Sequence, residues 1–202
     1  MKDFFVYKQI PLEETRKLAE LEPRLAELIN FDKSFNIRLM PDHFQCLIHT
    51  VISQQASNAA VDTIWNKLVF SFKKISAKTM AAATSEQLNA IGLSPNKISA
   101  IKKISYDIVD HKLNLKKLGK QNDEVIRQTL TQYKYIGNWT VDMMLIFSYY
   151  RNNVFPINDF GVQQGLKKLF GDKTVDQPFI DEITHKFNNY LTLLTFCLWR
   201  IK

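Results

Sequence analysis

Cysteine is nearly missing from this chain of 202 residues, which has only Cys46 and Cys197. Two thiols cannot hold a four-cysteine iron–sulfur cluster. Their distant positions in apolar surroundings, FQCLIHTVI and LTFCLWR, read as buried free cysteines. The four histidines, His43, His49, His111 and His185, have no metal-ligand spacing with those cysteines. Six glycines and six prolines are few, and no low-complexity stretch or internal repeat appears. No apolar run reaches membrane length, and residues 1–10 lack the apolar core of a signal peptide. The expectation is a soluble intracellular protein with no membrane partner.

What remains is apolar and basic. Hydrophobic residues make up 46% of the chain, enough for one compact domain or two lobes sharing a core. The formal net charge is +7 and the pI about 9.3. That balance favours anionic partners, nucleic acid above all, although basicity alone leaves an ordinary basic protein equally open. The lysines are spread over residues 73–78, 97–103, 112–120 and 167–173, so none forms a disordered basic tail.

Almost every segment has helical periodicity. Residues 11–29 carry Leu12, Leu18, Leu21, Leu25 and Leu28 on one face. Pro41 is placed to open the next helix, whose stripe is Phe44, Leu47, Ile48, Val51 and Ile52. Ser57 caps a third helix. Short helices follow at 77–83 and 86–91, with Gly92 as a stop. Ser94-Pro95 starts a longer helix through Ile98, Ile101, Ile104 and Ile108. Further helices are expected at 123–133, 139–150, 159–170, 178–187 and 189–199. No convincing alternating strand appears, so the expected class is all-α with bundle-like connections.

Three segments are unusual for a plain bundle. In Ile52-Ser53-Gln54-Gln55, two amides continue the apolar stripe; on pattern alone a polar helix end is the commoner explanation. In residues 133–140 a glycine-containing hairpin and a helix N-terminus could aim N–H groups at a phosphate. An ordinary αα-hairpin is the commoner case. In residues 154–161, Asn158 is positioned to cap a helix with Asp159 in its first turn, where the dipole favours an anion. Aspartate is also simply frequent there.

Taken together, these segments resemble the helix-hairpin-helix DNA glycosylase superfamily, in its 3-methyladenine DNA glycosylase II branch. The resemblance runs from about residue 44 to the end. It rests on Ile52-Ser53-Gln54-Gln55, then Gly92-Leu93-Ser94 before a basic helix. Next come Ile136-Gly137-Asn138-Trp139-Thr140, the run from Arg151 to Val162 around Asp159, and the ending Leu198-Trp199-Arg200. It implies two helical lobes, about 31–135 and 1–30 plus 139–202, with Asp159 as essential carboxylate at a cleft between them. It implies Trp139 as an aromatic wall of the substrate pocket, standing where lyase-type relatives have a lysine nucleophile; the enzyme would then be monofunctional. Gln55, with Gln54 beside it, would fill the space left by an extruded nucleotide. An exposed Leu93, flanked by Ser94, would press on the opposite strand. Lys134, Ile136, Gly137 and Thr140 would meet DNA at the hairpin, Gly137 with a positive φ. Carbonyls of Thr131, Tyr133 and Ile136 would hold a monovalent cation. The implied partner is double-stranded DNA with damaged bases, bound by a monomer, in the cytoplasm of a bacterium or the nucleus of a eukaryote. The implied reaction is hydrolytic release of alkylated purines such as 3-methyladenine. A glycosylase for deaminated or oxidised purines, or a non-catalytic DNA-binding module, are the alternatives.

The chain also departs from the family pattern. The hairpin usually reads Pro-Gly-Ile/Val-Gly but here is Lys134-Tyr135-Ile136-Gly137, which loses the first glycine. Asn153 stands where aspartate is frequent, and Leu191-Thr192 replaces a common Arg-Ser pair. The N-terminal sheet domain of larger relatives is not expected within these 202 residues.

Overall fold

The computed structural model describes residues 4–29, 35–171 and 173–201. In chain order the elements begin with β1 (Val6–Ile10), α1 (Leu12–Leu21), α2 (Arg24–Leu28), β2 (Phe35–Leu39), α3 (His43–Ser53) and α4 (Asn58–Phe72). They continue with α5 (Ala77–Ala82), α6 (Ser85–Ile91), α7 (Pro95–Val109), α8 (Leu115–Leu118) and α9 (Asp123–Leu130). The chain closes with α10 (Asn138–Phe147), α11 (Phe160–Phe170), α12 (Gln177–Lys186) and α13 (Leu191–Leu198). The fold is therefore mostly helical, but the expectation of no strand is wrong. β1 and β2 form an antiparallel pair with Val6 opposite Leu39 and Ile10 opposite Phe35. In β2 the alternation Phe35, Ile37, Leu39 is buried while Asn36 and Arg38 are exposed, the period-2 pattern of a half-buried strand.

Two other expectations change for local reasons. The single helix over 11–29 is two, α1 and α2. Pro23 disfavours the helical region for the residue before it, and Glu22 is extended at φ −143°, ψ 90°. Pro41 does not open α3; Asp42 caps it instead, its carboxylate accepting Gln45 N–H at 2.9 Å. Ser57 caps α4 as expected, accepting Ala60 N–H at 3.3 Å.

The chain divides into two compact units. One comprises Met40–Met144; the other comprises the described residues of Met1–Leu39 and Leu145–Lys202. The second boundary falls within α10. The boundary expected at residues 30/31 lies outside the described residues.

In the Met40–Met144 unit, α7 packs against α5, α6 and α3. Ile98, Ala100, Ile101 and Ile104 of α7 are buried with Met80, Leu88, Leu47, Ile48, Val51 and Ile52. Burial of each large aliphatic side chain is worth about 1.5–3 kcal/mol. Two lysines of α7 reach back to helix ends that have no intrahelical donors of their own. Lys102 Nζ donates to the carbonyls of Ala81 and Ala83, where α5 finishes. Lys97 Nζ donates to Ile52 O at 2.8 Å and Gln54 O at 2.9 Å, where α3 finishes.

In the other unit, α11 packs on α13 through Gly165. A Cβ there would lie 2.5 Å from Leu198 O and 2.7 Å from Leu198 Cβ. Cys197 is buried and in no disulfide, its thiol pushed up to about 12 by burial, and Cys46 of the other unit is likewise buried and in no disulfide. Glu22 is only 3% exposed and is bracketed by Arg24, at 2.6 Å, and Lys186, at 3.0 Å. The hydrogen-bonded Arg24 guanidinium, helped by Lys186, holds its carboxyl down at about 2, against 4.5 ordinarily. A depressed carboxylate stabilises the fold fully above the ordinary value and progressively less as pH falls towards the folded one. Acid denaturation should therefore have a limb between about pH 4.5 and 2 that flattens in Glu22→Gln. The variant should also lose roughly 2–3 kcal/mol near neutrality. Urea titrations at pH 3 and pH 6.5 check this; parallel curves for the two proteins would contradict it.

Candidate active site and nucleic-acid interface

Asp159 follows a turn in which its own N–H reaches Pro156 O at 2.8 Å. Asp159 itself, not Asn158, is the N-cap of α11: Oδ1 accepts Val162 N–H at 3.0 Å. Both residue types cap well, and the turn at Pro156 settles the choice one residue later than expected. The same Oδ1 accepts the Trp199 indole N–H at 2.7 Å. Two donors and the positive end of α11 thus complement the carboxylate's charge and fix its direction.

Trp199 is the residue that sequence reasoning missed as part of this site. Its indole stacks with Phe147, centroids 5.6 Å apart and planes 5° from parallel, and meets Phe196 edge-on at 5.4 Å. Gly161 is what allows the approach: a Cβ there would stand 2.7 Å from Trp199 Cδ1 and 3.1 Å from Asp159 Oδ1. Phe160, next to the carboxylate, is 74% exposed. An aromatic residue directly after the motif aspartate was the available sequence signal for Phe160.

The segment leading to Asp159 is tethered at the other end of α13. Thr192 Oγ1 donates to Arg151 O at 2.7 Å and accepts Val154 N–H at 3.0 Å, while its own N–H reaches Asn152 O at 3.0 Å. Asn153 accepts Asn189 N–H and donates to Asn188 Oδ1, both at 2.9 Å. Two departures from the family pattern, Asn153 and Thr192, therefore carry the bonds that hold this loop to the start of α13. Trp199 holds its far end to the helix's finish.

In the Met40–Met144 unit, α9 and α10 flank the hairpin. Tyr133 N–H bonds Leu130 O at 3.2 Å and Ile136 N–H bonds Tyr133 O at 3.0 Å. The positive φ expected at Gly137 occurs instead at Tyr135, with φ 70°. The chain keeps the left-handed turn residue at the place of the missing glycine and accepts the cost, about 1–2 kcal/mol for a residue with a Cβ. Gly137 is exposed, and a Cβ there would meet nothing within 4 Å. Ile136 is buried, Lys134 is exposed with its ammonium 5.1 Å from the Tyr135 ring centre, and Trp139 is half-buried in the first turn of α10. Arg127 of α9 and Asp142 of α10 form an ion pair at 2.5 Å that ties the two helices together. Burial is the main influence on Asp142, raising its carboxyl above the ordinary value, with Arg127 opposing it.

The structure brings Gln54 and the hairpin together. Gln54 Nε2 donates to Tyr135 O and to the buried Thr140 Oγ1, both at 2.9 Å. Gln55 is exposed and left-handed at φ 50°. Ser94 is exposed at the N-cap of α7, but Leu93 is only 1% exposed, which corrects the expectation of an exposed residue. Gly92, at φ 108°, ends α6 in a Schellman turn with Leu93 N–H bonded to Leu88 O. The residue after such a glycine folds back onto the helix it terminates. Asp159 and its Trp199 partner belong to one unit; Trp139, the two glutamines, Leu93 and the hairpin belong to the other. Among the described residues there is no group of three or more His, Cys, Asp or Glu side chains suited to a metal.

Known proteins resemble this chain in sequence and in fold. The Schizosaccharomyces pombe DNA-3-methyladenine glycosylase 1 is 31% identical over 155 residues, which cover 72% of this chain and 66% of that protein, just under two thirds. A solved S. pombe 3-methyladenine DNA glycosylase bound to abasic DNA superposes with a TM-score of 0.81 at 24% identity, over 93% of this chain and 95% of that one. A Clostridium acetobutylicum 8-oxoguanine glycosylase/lyase bound to DNA gives 0.79 at 18% identity, over 93% and 68%. At those identities the two structures establish the fold alone. The profile of the HhH-GPD superfamily matches residues 48–189, from within α3 through the hairpin and Asp159 to the threshold of α13, and the chain belongs to this superfamily of base excision DNA repair proteins.

Proposed function

We propose that this chain is a monofunctional DNA glycosylase that hydrolyses the N-glycosidic bond of alkylated purines such as 3-methyladenine, acting as a monomer on double-stranded DNA. The observation that carries the reading is Asp159, whose Oδ1 is fixed by Val162 N–H and the Trp199 indole at the motif position of the essential carboxylate. The activity named for the S. pombe relative supports the choice of lesion class.

The target anomeric carbon is hidden in a duplex, so the nucleotide must be extruded before it is cut. The cut passes through an oxocarbenium-like state, by analogy with other glycoside hydrolysis. A fixed carboxylate stabilises that cation and positions water without reorganising during the reaction. Alkylation makes the purine cationic and a good leaving group, so aromatic faces serve it better than a strong general acid. Trp139 and Phe160 offer such faces. No lysine stands where lyase-type relatives form a Schiff base; Trp139 occupies that place.

The test is base release from methylated duplex, run beside deaminated and oxidised duplexes, with and without alkali. Release from methylated DNA, strand breaks only after alkali, and no borohydride-trapped adduct are expected. Release from another lesion alone moves the substrate class, no release leaves a DNA-binding module, and a trapped adduct rejects the monofunctional assignment.

The hairpin would anchor phosphates of one strand through the first amides of α10, which lack partners within their own helix. The carbonyls of Thr131, Tyr133 and Ile136 would hold a monovalent cation there, adding positive charge beside the phosphate. Tyr133 O accepts one N–H, and a carbonyl has a second lone pair, so the neutral oxygen set fits a hard ion. Because Gly137 has open space around it, Gly137→Val should fold normally and weaken damaged and undamaged duplex alike. Lys134→Ala should lower the salt dependence of binding by about one unit of slope. Binding of both duplexes across a salt series measures both effects. Loss confined to damaged DNA would assign the hairpin to lesion recognition instead.

A further inference from the structure

The turn after α3 is held by its neighbours in an unusual way. Helix α3 ends in carbonyls that carry the negative end of its dipole. The Lys97 ammonium sits on two of them, Ile52 O at 2.8 Å and Gln54 O at 2.9 Å. Burial lowers the Lys97 pKa from its ordinary value. On the other side, the Gln54 amide reaches Tyr135 O and Thr140 Oγ1 at 2.9 Å each. One ammonium and one amide thus link the start of α7, the Gln54-Gln55 turn and the hairpin, all within the Met40–Met144 unit. The next residue, Gln55, is exposed and held at φ 50°, a conformation that costs a non-glycine side chain free energy unless its surroundings impose it.

We propose that Lys97 is a positioning residue: through Gln54 it fixes Gln55 relative to the phosphate-anchoring hairpin, so that DNA held at the hairpin meets a wedge already in place. This rests on the glycosylase reading above. It also changes the role of Gln54, whose amide is directed at the protein's own hairpin. Lys97 touches neither the reacting atoms nor, in this account, the DNA; its effect passes entirely through the turn.

Lys102 supplies the control. It caps α5 from the same helix with the same chemistry, through Ala81 O and Ala83 O, but leads to no DNA element. Lys97→Met and Lys102→Met should both lower thermal stability. Only Lys97→Met should reduce extrusion, read as fluorescence of a base analogue beside the lesion, together with the single-turnover rate of base release. The expected loss is about tenfold, since a shift of an ångström at a positioning group can cost a hundredfold. Affinity for undamaged duplex should stay within about twofold, because phosphate contacts position the protein without reading the lesion.

The decisive comparison is in a Gln55→Ala background. There Lys97→Met should reduce extrusion no further, because a residue that acts through Gln55 has nothing left to position. Should Lys97→Met fail to fold, Gln54→Met removes the amide link while leaving the Lys97 contact to the Gln54 carbonyl, and the same cycle applies. Additive losses in the double variant, equal losses for Lys102→Met, or unchanged extrusion in Lys97→Met would each overturn the proposal while a wild type that flips and releases bases upholds the glycosylase reading. A wild type that does neither overturns both.

Discussion

Asp159→Asn should fold, bind DNA with near wild-type affinity, and release no base. The substitution preserves what the structure needs from this side chain. An amide oxygen can still accept Val162 N–H and the Trp199 indole, the two bonds now made by Oδ1, so the cap of α11 and the aromatic cluster around Trp199 stay in place. What disappears is the negative charge that the oxocarbenium-like state requires. Removing one preorganised electrostatic partner typically costs a hundredfold to a thousandfold, and loss of a full opposing charge should reach at least the upper end of that range. Single-turnover base release, with the melting temperature and the affinity for undamaged duplex measured on the same preparation, separates the outcomes. A rate within a few-fold of wild type would remove Asp159 from the chemistry. A collapsed melting temperature would show that the cap needs the charge as well as the shape.

The second large effect is structural in origin. Gly165→Ala adds a single carbon where Leu198 already stands, at 2.5 Å from its carbonyl oxygen and 2.8 Å from its Cα. These are backbone atoms, so no rotamer change relieves the overlap and α11 must move from α13. Overpacking of this kind costs about 3 kcal/mol, which for a chain of this size lowers Tm by roughly 6–12 °C. The displaced helix is the one that carries Thr192 at its start and is followed by Trp199, so the loop before Asp159 loses its alignment at both ends. Base release should fall well below what the loss of stability alone explains at a temperature where the variant is folded. Affinity for undamaged duplex should hold, because the hairpin lies in the other unit. An unchanged Tm would mean that the two helices pack with slack that the contact distances do not show.

Much of the fold was legible because periodicity is local. The stripe Leu47, Ile48, Val51, Ile52 and Ile98, Ile101 and Ile104 of α7 are the core positions they appeared to be, while Ile108 is only half-buried. β2 was legible in part, since Phe35, Ile37 and Leu39 alternate strictly with polar residues, but five residues carry only a weak period-2 signal. β1 was not: four of its five residues are exposed, and pairing to β2 is what makes it a strand. The break at Pro23 follows from the residues alone.

The site divides along the same line. The place of Asp159 could be read from its motif, because Pro156, Asp159 and Gly161 in that order constrain a turn into a helix. Its bond to Trp199 could not, since it joins residues forty apart and depends on how closely Gly161 and Gly165 let α11 and α13 approach. Leu93 looked like a loop residue between Gly92 and Ser94, yet a left-handed glycine at a helix end directs the following side chain inward. The inward aim of Gln54 likewise needed the position of Tyr135, which itself took the left-handed turn that the sequence pattern assigned to Gly137.

The indole bonded to Asp159 has a practical consequence. The chain has only three tryptophans, Trp65, Trp139 and Trp199. A ¹⁵N-labelled sample would therefore show at most three indole N–H correlations in an uncrowded corner of its NMR spectrum. One of them belongs to the Trp199 N–H, whose nitrogen lies 2.7 Å from Oδ1 of the candidate catalytic carboxylate. Its chemical shift would follow the charge of that group, the arrival of a cationic base or the departure of the product, with no dye, no labelled DNA and no substitution in the site being watched.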